Sequence, residues 1–126
     1  MIKKAISTNN APGAIGPYSQ AIEMGGFIFV SGQIPVDPKT GSITGSEIKE
    51  QTHRVIQNID AVLKEAGCTL DNVVKTTCYL SSMDNFTEMN NIYAKYFVDI
   101  PPARATIEVS RLPKSVLIEI DAIAIK

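Results

Sequence analysis

Apolar residues recur along the chain with two different periods, and these periods predict its secondary structure. In several segments they alternate with polar residues or form short runs bounded by turn residues, which is typical of β-strands. Six segments are expected to be strands: residues 2–7, 19–24, 27–31, 73–81, 104–110 and 116–125. Gly25-Gly26 separates the second strand from the third and predicts a two-residue hairpin, because glycine adopts positive φ without a Cβ clash.

Between Ser46 and Gly67 the apolar period lengthens to that of an amphipathic helix. The residues of its apolar stripe are Ile48, Val55, Ile56, Ile59, Val62, Leu63 and Ala66. Gly67 is expected to end this helix. A second helix is expected over residues 85–97, with Asp84 as its cap, and Pro101-Pro102 should prevent its continuation.

The predicted order of elements is β-β-β-α-β-α-β-β, in one domain over residues 1–126. Helices after the third and fourth strands indicate crossovers, so we expect a mixed sheet in an α+β fold. Both helices should cover one face of the sheet. The last strand has apolar residues on both faces, as the pairs Ile118, Ile120 and Ile123, Ile125 illustrate. The uncovered face is therefore expected to pack against further copies of the chain.

Composition and charge narrow the function classes. Twelve basic and 13 acidic residues give a net charge of −1, which lacks the positive footprint of a nucleic-acid-binding protein. No apolar run is long enough to cross a bilayer, and polar residues 7–13 interrupt the basic start, so no signal peptide is expected. Cys68, Cys78 and the single histidine, His53, do not make a zinc site. We expect free thiols in a cytoplasmic protein without a metal.

Two ionisable residues lie among apolar neighbours in the last two strands: Arg104 and Glu119. A guanidinium binds a carboxylate through two parallel hydrogen bonds. A nearby carboxylate can orient or activate water. Together they are the minimum set of groups that hydrolysis of a small acidic substrate needs. The alternatives are exposed surface charges or a structural ion pair, and the strand pattern alone does not separate these readings.

Five separated motifs resemble the Rid family of reactive-intermediate deaminases, and within it the RidA type. They are AIGPYSQ (14–20), SGQIP (31–35), PARATIEV (102–109), RLP (111–113) and IEIDAIA (118–124). The resemblance runs from end to end without a large insertion. It implies a chorismate-mutase-like fold, assembled as a homotrimer with clefts between subunits. It also implies hydrolysis of 2-iminoacids, such as 2-iminobutanoate and 2-iminopropanoate, to 2-ketoacids and ammonia.

The resemblance also assigns roles to single residues. Arg104 matches the arginine that binds the substrate carboxylate, and Glu119 matches the glutamate that positions the hydrolytic water. Tyr18 matches a pocket tyrosine and is the third catalytic candidate. The further substrate-binding candidates are Ser31, Gly32, Asn90 and Thr106. Many RidA-type proteins have cysteine at the position of Thr106, and its hydroxyl is expected to retain a hydrogen-bonding role. No metal or organic cofactor is expected, because imines are already electrophilic.

A second function class is a ligand-sensing or regulatory trimer that binds small carboxylates, since related chains have been linked to translation inhibition or RNA cleavage. The near-neutral charge and the single histidine disfavour RNA cleavage. A site built only to hold an anion would gain nothing from the negative charge of Glu119. We therefore expect a 2-iminoacid and further copies of the chain as partners, and neither nucleic acid nor membrane.

Overall fold

One six-stranded sheet and two helices form the structure, a computed structural model that describes residues 1–126. The strands are β1 (Lys4–Ile6), β2 (Ala21–Met24), β3 (Phe27–Gln33), β4 (Val73–Leu80), β5 (Ala103–Glu108) and β6 (Ile118–Ile125). The helices are α1 (Ile48–Glu65) and α2 (Phe86–Tyr96). The order of strands and helices is the predicted one, and the α+β class is confirmed. Neither helix combines the length and apolar composition needed to cross a membrane.

The strands lie in the order β1-β2-β3-β6-β4-β5. β4 and β5 are parallel, and all other neighbours are antiparallel. α1 connects β3 to β4, which both run antiparallel to β6 between them, and α2 connects the parallel pair β4 and β5. The mixed sheet expected from the two crossovers is therefore confirmed.

Both helices pack on the same face of the sheet and form one hydrophobic core with it. The central strand β6 contributes every second residue to this core: Ile118, Ile120, Ala122 and Ala124. α1 faces them with fully buried Val55, Ile56, Ile59, Val62 and Leu63, and α2 adds Met89 and Tyr93. The core is apolar, so burial of these side chains provides the main stabilisation of the fold.

The opposite face of the sheet, which we call the uncovered face, is apolar but accessible. Its side chains Met24, Phe27, Phe29, Ile107 and Ile125 are each between 39% and 46% exposed. The Phe27 and Phe29 rings stack with centroids 5.9 Å apart. Both faces of the sheet are thus apolar, as the sequence pattern indicated. Packing of further copies of the chain on the uncovered face remains a prediction.

The turn residues behave as expected, with one exception. Gly25 and Gly26 have φ of +60° and +83° in the β2–β3 hairpin, and Gly67 has φ of +80° after Ala66, the C-terminal cap of α1. Asp84, however, does not cap α2. Ser82 starts a short 3-10 turn before the helix, and its hydroxyl accepts a hydrogen bond from the Asp84 N–H at 3.2 Å. The capping prediction is wrong because the turn begins two residues earlier.

Candidate active site

Arg104 lies on the helix-covered face of the sheet, in the edge strand β5. Parallel pairing places Arg104 beside Thr76 and Thr106 beside Cys78 of β4. Residues paired across neighbouring strands share a face, and Thr76 and Cys78 are fully buried beneath the helices. The side chains of Arg104 and Thr106 therefore point to the side of the sheet on which α2 lies.

Two aromatic rings of α2 hold the Arg104 guanidinium. Its Cζ lies 4.8 Å from the ring centroid of Tyr93 and 5.6 Å from that of Phe86, distances at which a cation is attracted to the ring faces. The Tyr93 ring is itself fixed, because its hydroxyl lies 2.7 Å from the Thr76 hydroxyl. The cation is thus oriented by packing rather than by an opposite charge.

No carboxylate of the same protomer pairs with Arg104. The ion pairs of the protomer join Lys64 to Asp60 and Lys126 to Glu23. The interpretation of Arg104 and Glu119 as a structural ion pair is therefore wrong within one protomer. The guanidinium N–H groups are available for an anionic ligand.

An open groove of about 610 Å³ leads to Arg104 between α2 and the start of β5. Asn90 and Tyr93 line it from α2, and Pro102 lines it from the loop before β5. Thr106 follows Arg104 on the same strand face, and its buried Oγ1 has no hydrogen-bond partner within the protomer. We call Asn90, Tyr93, Arg104 and Thr106 the cation half-site.

Cys78 lies beside Thr106 at the floor of this region. Burial raises the pKa of the Cys78 thiol to about 11. The reactive form of cysteine is the thiolate, so Cys78 is an inert thiol near neutral pH. Cys68 is also buried and unpaired.

Glu119 lies on the uncovered face, opposite to the face of Arg104. In β6 it pairs with Tyr79 of β4. Gly32 of β3 lies against the carboxylate, where an added Cβ would overlap Oε2 and lie 2.8 Å from Cδ. The register between β3 and β6 shifts between Val30 and Gln33, which is typical of a bulge. A side chain at position 32 would therefore have to displace the Glu119 carboxylate.

Tyr18 and Ser31 are linked to Glu119 through Gly32. Tyr18 is 53% exposed in the loop before β2, and it lines a cavity of about 200 Å³ together with Gly32. The Ser31 hydroxyl donates a hydrogen bond to the Ser19 carbonyl at 2.6 Å. This bond ties β3 to the loop that presents Tyr18. We call Tyr18, Ser31, Gly32 and Glu119 the carboxylate half-site.

The surroundings of Glu119 favour its protonated form. Burial raises the pKa of its carboxyl above the usual range, and the negative charge of Asp121 raises it further. Proton transfer from water is assisted most by a base whose pKa lies near the working pH. The shift is therefore in the direction that suits Glu119 to accept a proton.

The structure divides the predicted site residues into two groups. Arg104, Thr106 and Asn90 belong to the cation half-site, whereas Tyr18, Ser31, Gly32 and Glu119 belong to the carboxylate half-site. One protomer does not bring the guanidinium and the glutamate together, because the sheet lies between them. A single site that contains both must take Arg104 from one protomer and Glu119 from another.

The sequence pattern gave no indication that Phe86 and Tyr93 support Arg104. The signal that could have revealed it is the parallel pairing of β4 with β5. This pairing puts Arg104 under the helix that connects the two strands, so aromatic residues on the inner side of that helix meet the guanidinium.

Comparison with known proteins identifies the family. The family described as endoribonuclease L-PSP matches residues 8–126. A RutC family protein of Pyrococcus abyssi is 59% identical over 126 residues, covering 100% of this chain and 99% of that protein. The Rid family protein YyfA of Yersinia pestis, a crystal structure, is 52% identical with a TM-score of 0.97, covering 99% of this chain and 100% of that one. The chain belongs to the Rid family, also described as endoribonuclease L-PSP.

A human relative carries a more specific name, 2-iminobutanoate/2-iminopropanoate deaminase. It is 45% identical over 126 residues, which cover 100% of this chain and 92% of the human protein. The names within the family thus range from a generic family name to an endoribonuclease and an imine deaminase. These names establish the family of this chain but not the reaction that it catalyses.

Proposed function

We propose that the protein hydrolyses 2-iminoacids, such as 2-iminobutanoate and 2-iminopropanoate, to 2-ketoacids and ammonia. The observation that carries the proposal is the unpaired, aromatic-supported Arg104 on one face of the sheet and the half-buried Glu119 on the other. The first suits the carboxylate of a small organic acid, and the second suits a water molecule. The name of the human relative supports the same chemistry.

The proposed assembly is a homotrimer in which each site joins the cation half-site of one protomer to the carboxylate half-site of the next. The uncovered face supports this assembly, because its partly exposed phenylalanines Phe27 and Phe29 are apolar surface that association would remove from water. A ring of three identical head-to-tail contacts brings Arg104 and Glu119 together three times.

Arg104 binds the substrate carboxylate through its planar fork. A charge-assisted hydrogen bond of this kind contributes on the order of 1.5–3 kcal/mol. Because Tyr93 and Phe86 already hold the guanidinium, little side-chain freedom is lost on binding. The anchored carboxylate fixes the position of the adjacent C=N carbon, which converts binding energy into correct placement of the reacting atom.

Glu119 accepts a proton from water as the water oxygen forms a bond to the imine carbon. The product of this step is a tetrahedral carbinolamine, whose nitrogen takes up the proton from Glu119. Glu119 next takes the hydroxyl proton of the carbinolamine and passes it to the nitrogen as the C–N bond breaks, so that ammonia leaves and the carbon–oxygen double bond of the 2-ketoacid forms. Glu119 ends the cycle as a carboxylate, so no net proton is consumed by the protein.

The remaining residues complete the pocket. The Tyr18 hydroxyl is available to hydrogen-bond the water or the nitrogen at the exposed mouth of the carboxylate half-site. Ser31 holds the Tyr18 loop, and Gly32 lets the substrate and Glu119 approach the backbone closely. On the other side, Asn90 and the Thr106 hydroxyl supply polar contacts next to Arg104.

The proposal requires no metal or organic cofactor, because the imine carbon is electrophilic without one. Its partners are the 2-iminoacid and two further copies of the chain, with no role for nucleic acid or membrane. Imines of this kind are products of amino-acid dehydration, so a cytoplasmic location is part of the proposal.

The proposal is tested by generating the imine in place. A pyridoxal-phosphate threonine dehydratase is supplied with threonine, and 2-ketoacid release is followed with and without this protein. The parent should accelerate release. Arg104→Ala should reduce the acceleration on the order of ten- to a hundredfold, and Arg104→Lys should recover little, because an ammonium lacks the planar fork. Full activity of Arg104→Ala would contradict the proposal.

RNA cleavage is the second candidate function, and the description of the matched family favours it. The single histidine argues against it here, because His53 hydrogen-bonds Tyr96 between the two helices at 2.7 Å and belongs to neither half-site. RNA degradation is measured with the same Arg104→Ala and Glu119→Gln variants. Degradation that depends on both residues would favour the nuclease, and degradation that survives both would point to a contaminant or to another site.

A further inference from the structure

One hydrogen-bonded pair next to Glu119 has no role in the mechanism above. The Tyr79 hydroxyl donates a hydrogen bond to Asp121 Oδ2 at 3.0 Å. Both side chains are only partly buried on the uncovered face. A tyrosine that fixes a second carboxylate beside the water-handling glutamate needs a physical explanation, because two neighbouring negative charges destabilise each other.

We propose that Asp121, held by Tyr79, is a positioning residue that keeps Glu119 able to accept a proton beside the Arg104 cation. The inference rests on the proposed function. It adds a residue pair that determines how the site works and that touches neither substrate nor water in the proposed mechanism.

The strand register supports this arrangement. Glu119 and Asp121 are two residues apart in β6, so their side chains lie on the same face about 7 Å apart along the strand. Tyr79 in β4 is directly opposite Glu119, and Thr77 is opposite Asp121. The Tyr79 side chain therefore reaches diagonally past Glu119 to Asp121, and it fixes the second carboxylate at the side of the first.

The charged and titratable groups around Glu119 indicate how the Asp121 carboxylate acts on it. On its own strand the facing charge is Asp121, from β4 the facing titratable group is Tyr79, and from β3 the neighbour is uncharged Gly32. In the proposed site the Arg104 guanidinium of the next protomer is added. That cation alone would lower the pKa of Glu119 and make it a weaker base. Asp121 opposes this effect, and its charge contributes to the raised pKa of Glu119.

Three variants separate the charge of Asp121 from its hydrogen bond. Asp121→Asn keeps the shape and can still accept from Tyr79, but it removes the charge. Asp121→Glu restores the charge, and Tyr79→Phe removes the hydrogen bond while the charge remains. Asp71→Asn, which removes an exposed carboxylate from the turn before β4, is the matched control. For each protein, kcat for imine hydrolysis is measured against pH.

We expect Asp121→Asn to move the acidic limb of the kcat profile to lower pH by on the order of half a unit to one unit. Its plateau should fall several-fold, because the weaker base assists proton transfer less. Asp121→Glu should keep the limb near that of the parent, and Tyr79→Phe should not move it to lower pH. Asp71→Asn should match the parent throughout.

A titration of the Glu119 carboxyl by carbon-13 NMR, assigned with Glu119→Gln, gives a readout independent of turnover. The midpoint should fall in Asp121→Asn by the same amount as the kinetic limb. An unchanged limb and midpoint in Asp121→Asn, with Glu119→Gln inactive, would overturn this inference alone. Full activity of Glu119→Gln would overturn both the inference and the proposed function.

Discussion

The two half-sites differ in how the fold prepares them. The cation half-site is complete within one protomer, because Tyr93, Phe86 and Thr76 orient Arg104 beneath α2. The carboxylate half-site lies on an exposed apolar surface, and Glu119 there is held in surroundings that disfavour its charge. One half presents a cation oriented within a single protomer, and the other half presents a carboxyl group whose charged form is disfavoured.

In the proposed mechanism, this difference corresponds to substrate binding by Arg104 and proton transfer by Glu119. A guanidinium remains charged in any protein environment, so packing aromatic rings around it changes its orientation but not its charge. A carboxyl group responds to burial and to neighbouring charge, which makes it the group that the fold can adjust. The fold thus fixes the binding group rigidly and tunes the basic group electrostatically.

The largest effect on activity is expected from a substitution on the uncovered face, which joins the two half-sites in the proposed assembly. Phe29→Glu places a charge on the uncovered face, so we expect dissociation to monomers and a loss of activity on the order of a hundredfold, because the positioning of Glu119 against Arg104 is lost. Sedimentation velocity at micromolar concentration measures the assembly. Phe29→Leu keeps the face apolar and should remain assembled and active. A parent protein that is monomeric at this concentration would contradict the trimer.

A smaller effect is expected when only the carboxylate is displaced. An alanine Cβ at Gly32 would overlap the Glu119 carboxylate, so Gly32→Ala should lower kcat on the order of tenfold while the protein still assembles. At Gly13 an added Cβ meets nothing within 4 Å, and Gly13→Ala serves as the control. Equal activity of both variants would show that the close approach at Gly32 does not matter.

The smallest effect is expected on thermal stability, which substitution of Glu119 should raise and substitution of Arg104 should lower. The folded-state pKa of Glu119 is raised, so its favourable contribution is present below the usual carboxyl range and is lost as pH rises through the folded pKa. In the monomeric Phe29→Glu background, where no Arg104 of a neighbouring protomer reaches Glu119, Glu119→Gln is neutral at every pH and should therefore raise Tm modestly at pH 8, and the gain should vanish in acid. Arg104→Ala should lower Tm, because the guanidinium loses two aromatic contacts. Thermal unfolding at both pH values measures these differences, and a lower Tm of Glu119→Gln at pH 8 would contradict the raised pKa.

The sequence allowed the secondary structure and the mixed sheet to be predicted because these follow from local periodicity. The alternation in β6 put Ile118 and Ile120 on one face and Glu119 and Asp121 on the other, and the structure has the same division. Strand order and register are long-range properties that periodicity does not contain. For this reason Arg104 and Glu119 were expected to be neighbours from their motifs, whereas pairing with Thr76 and Tyr79 puts them on opposite faces.

Some contacts of the candidate site also depend on the pairing register of the strands. Motif resemblance supplied Tyr18, Ser31 and Gly32, and the structure places Gly32 against Glu119, with Ser31 beside Gly32 and Tyr18 in a cavity that Gly32 also lines. The Tyr79–Asp121 bond spans a diagonal between two strands that are about 40 residues apart in the chain. Nothing local in either segment indicates it. The support of Arg104 by Phe86 depends on the parallel pairing of β4 with β5 in the same way.

The division of one site between two protomers is tested most directly by mixing inactive variants. Arg104→Ala and Glu119→Gln are unfolded together in equal amounts and refolded, and imine hydrolysis is measured against each variant refolded alone. Three quarters of randomly mixed trimers would contain both variants and one intact site of three, so activity should return to about a quarter of that of the parent. Activity no higher than that of either variant alone, in mixed trimers verified by mass spectrometry, would contradict a site shared between protomers.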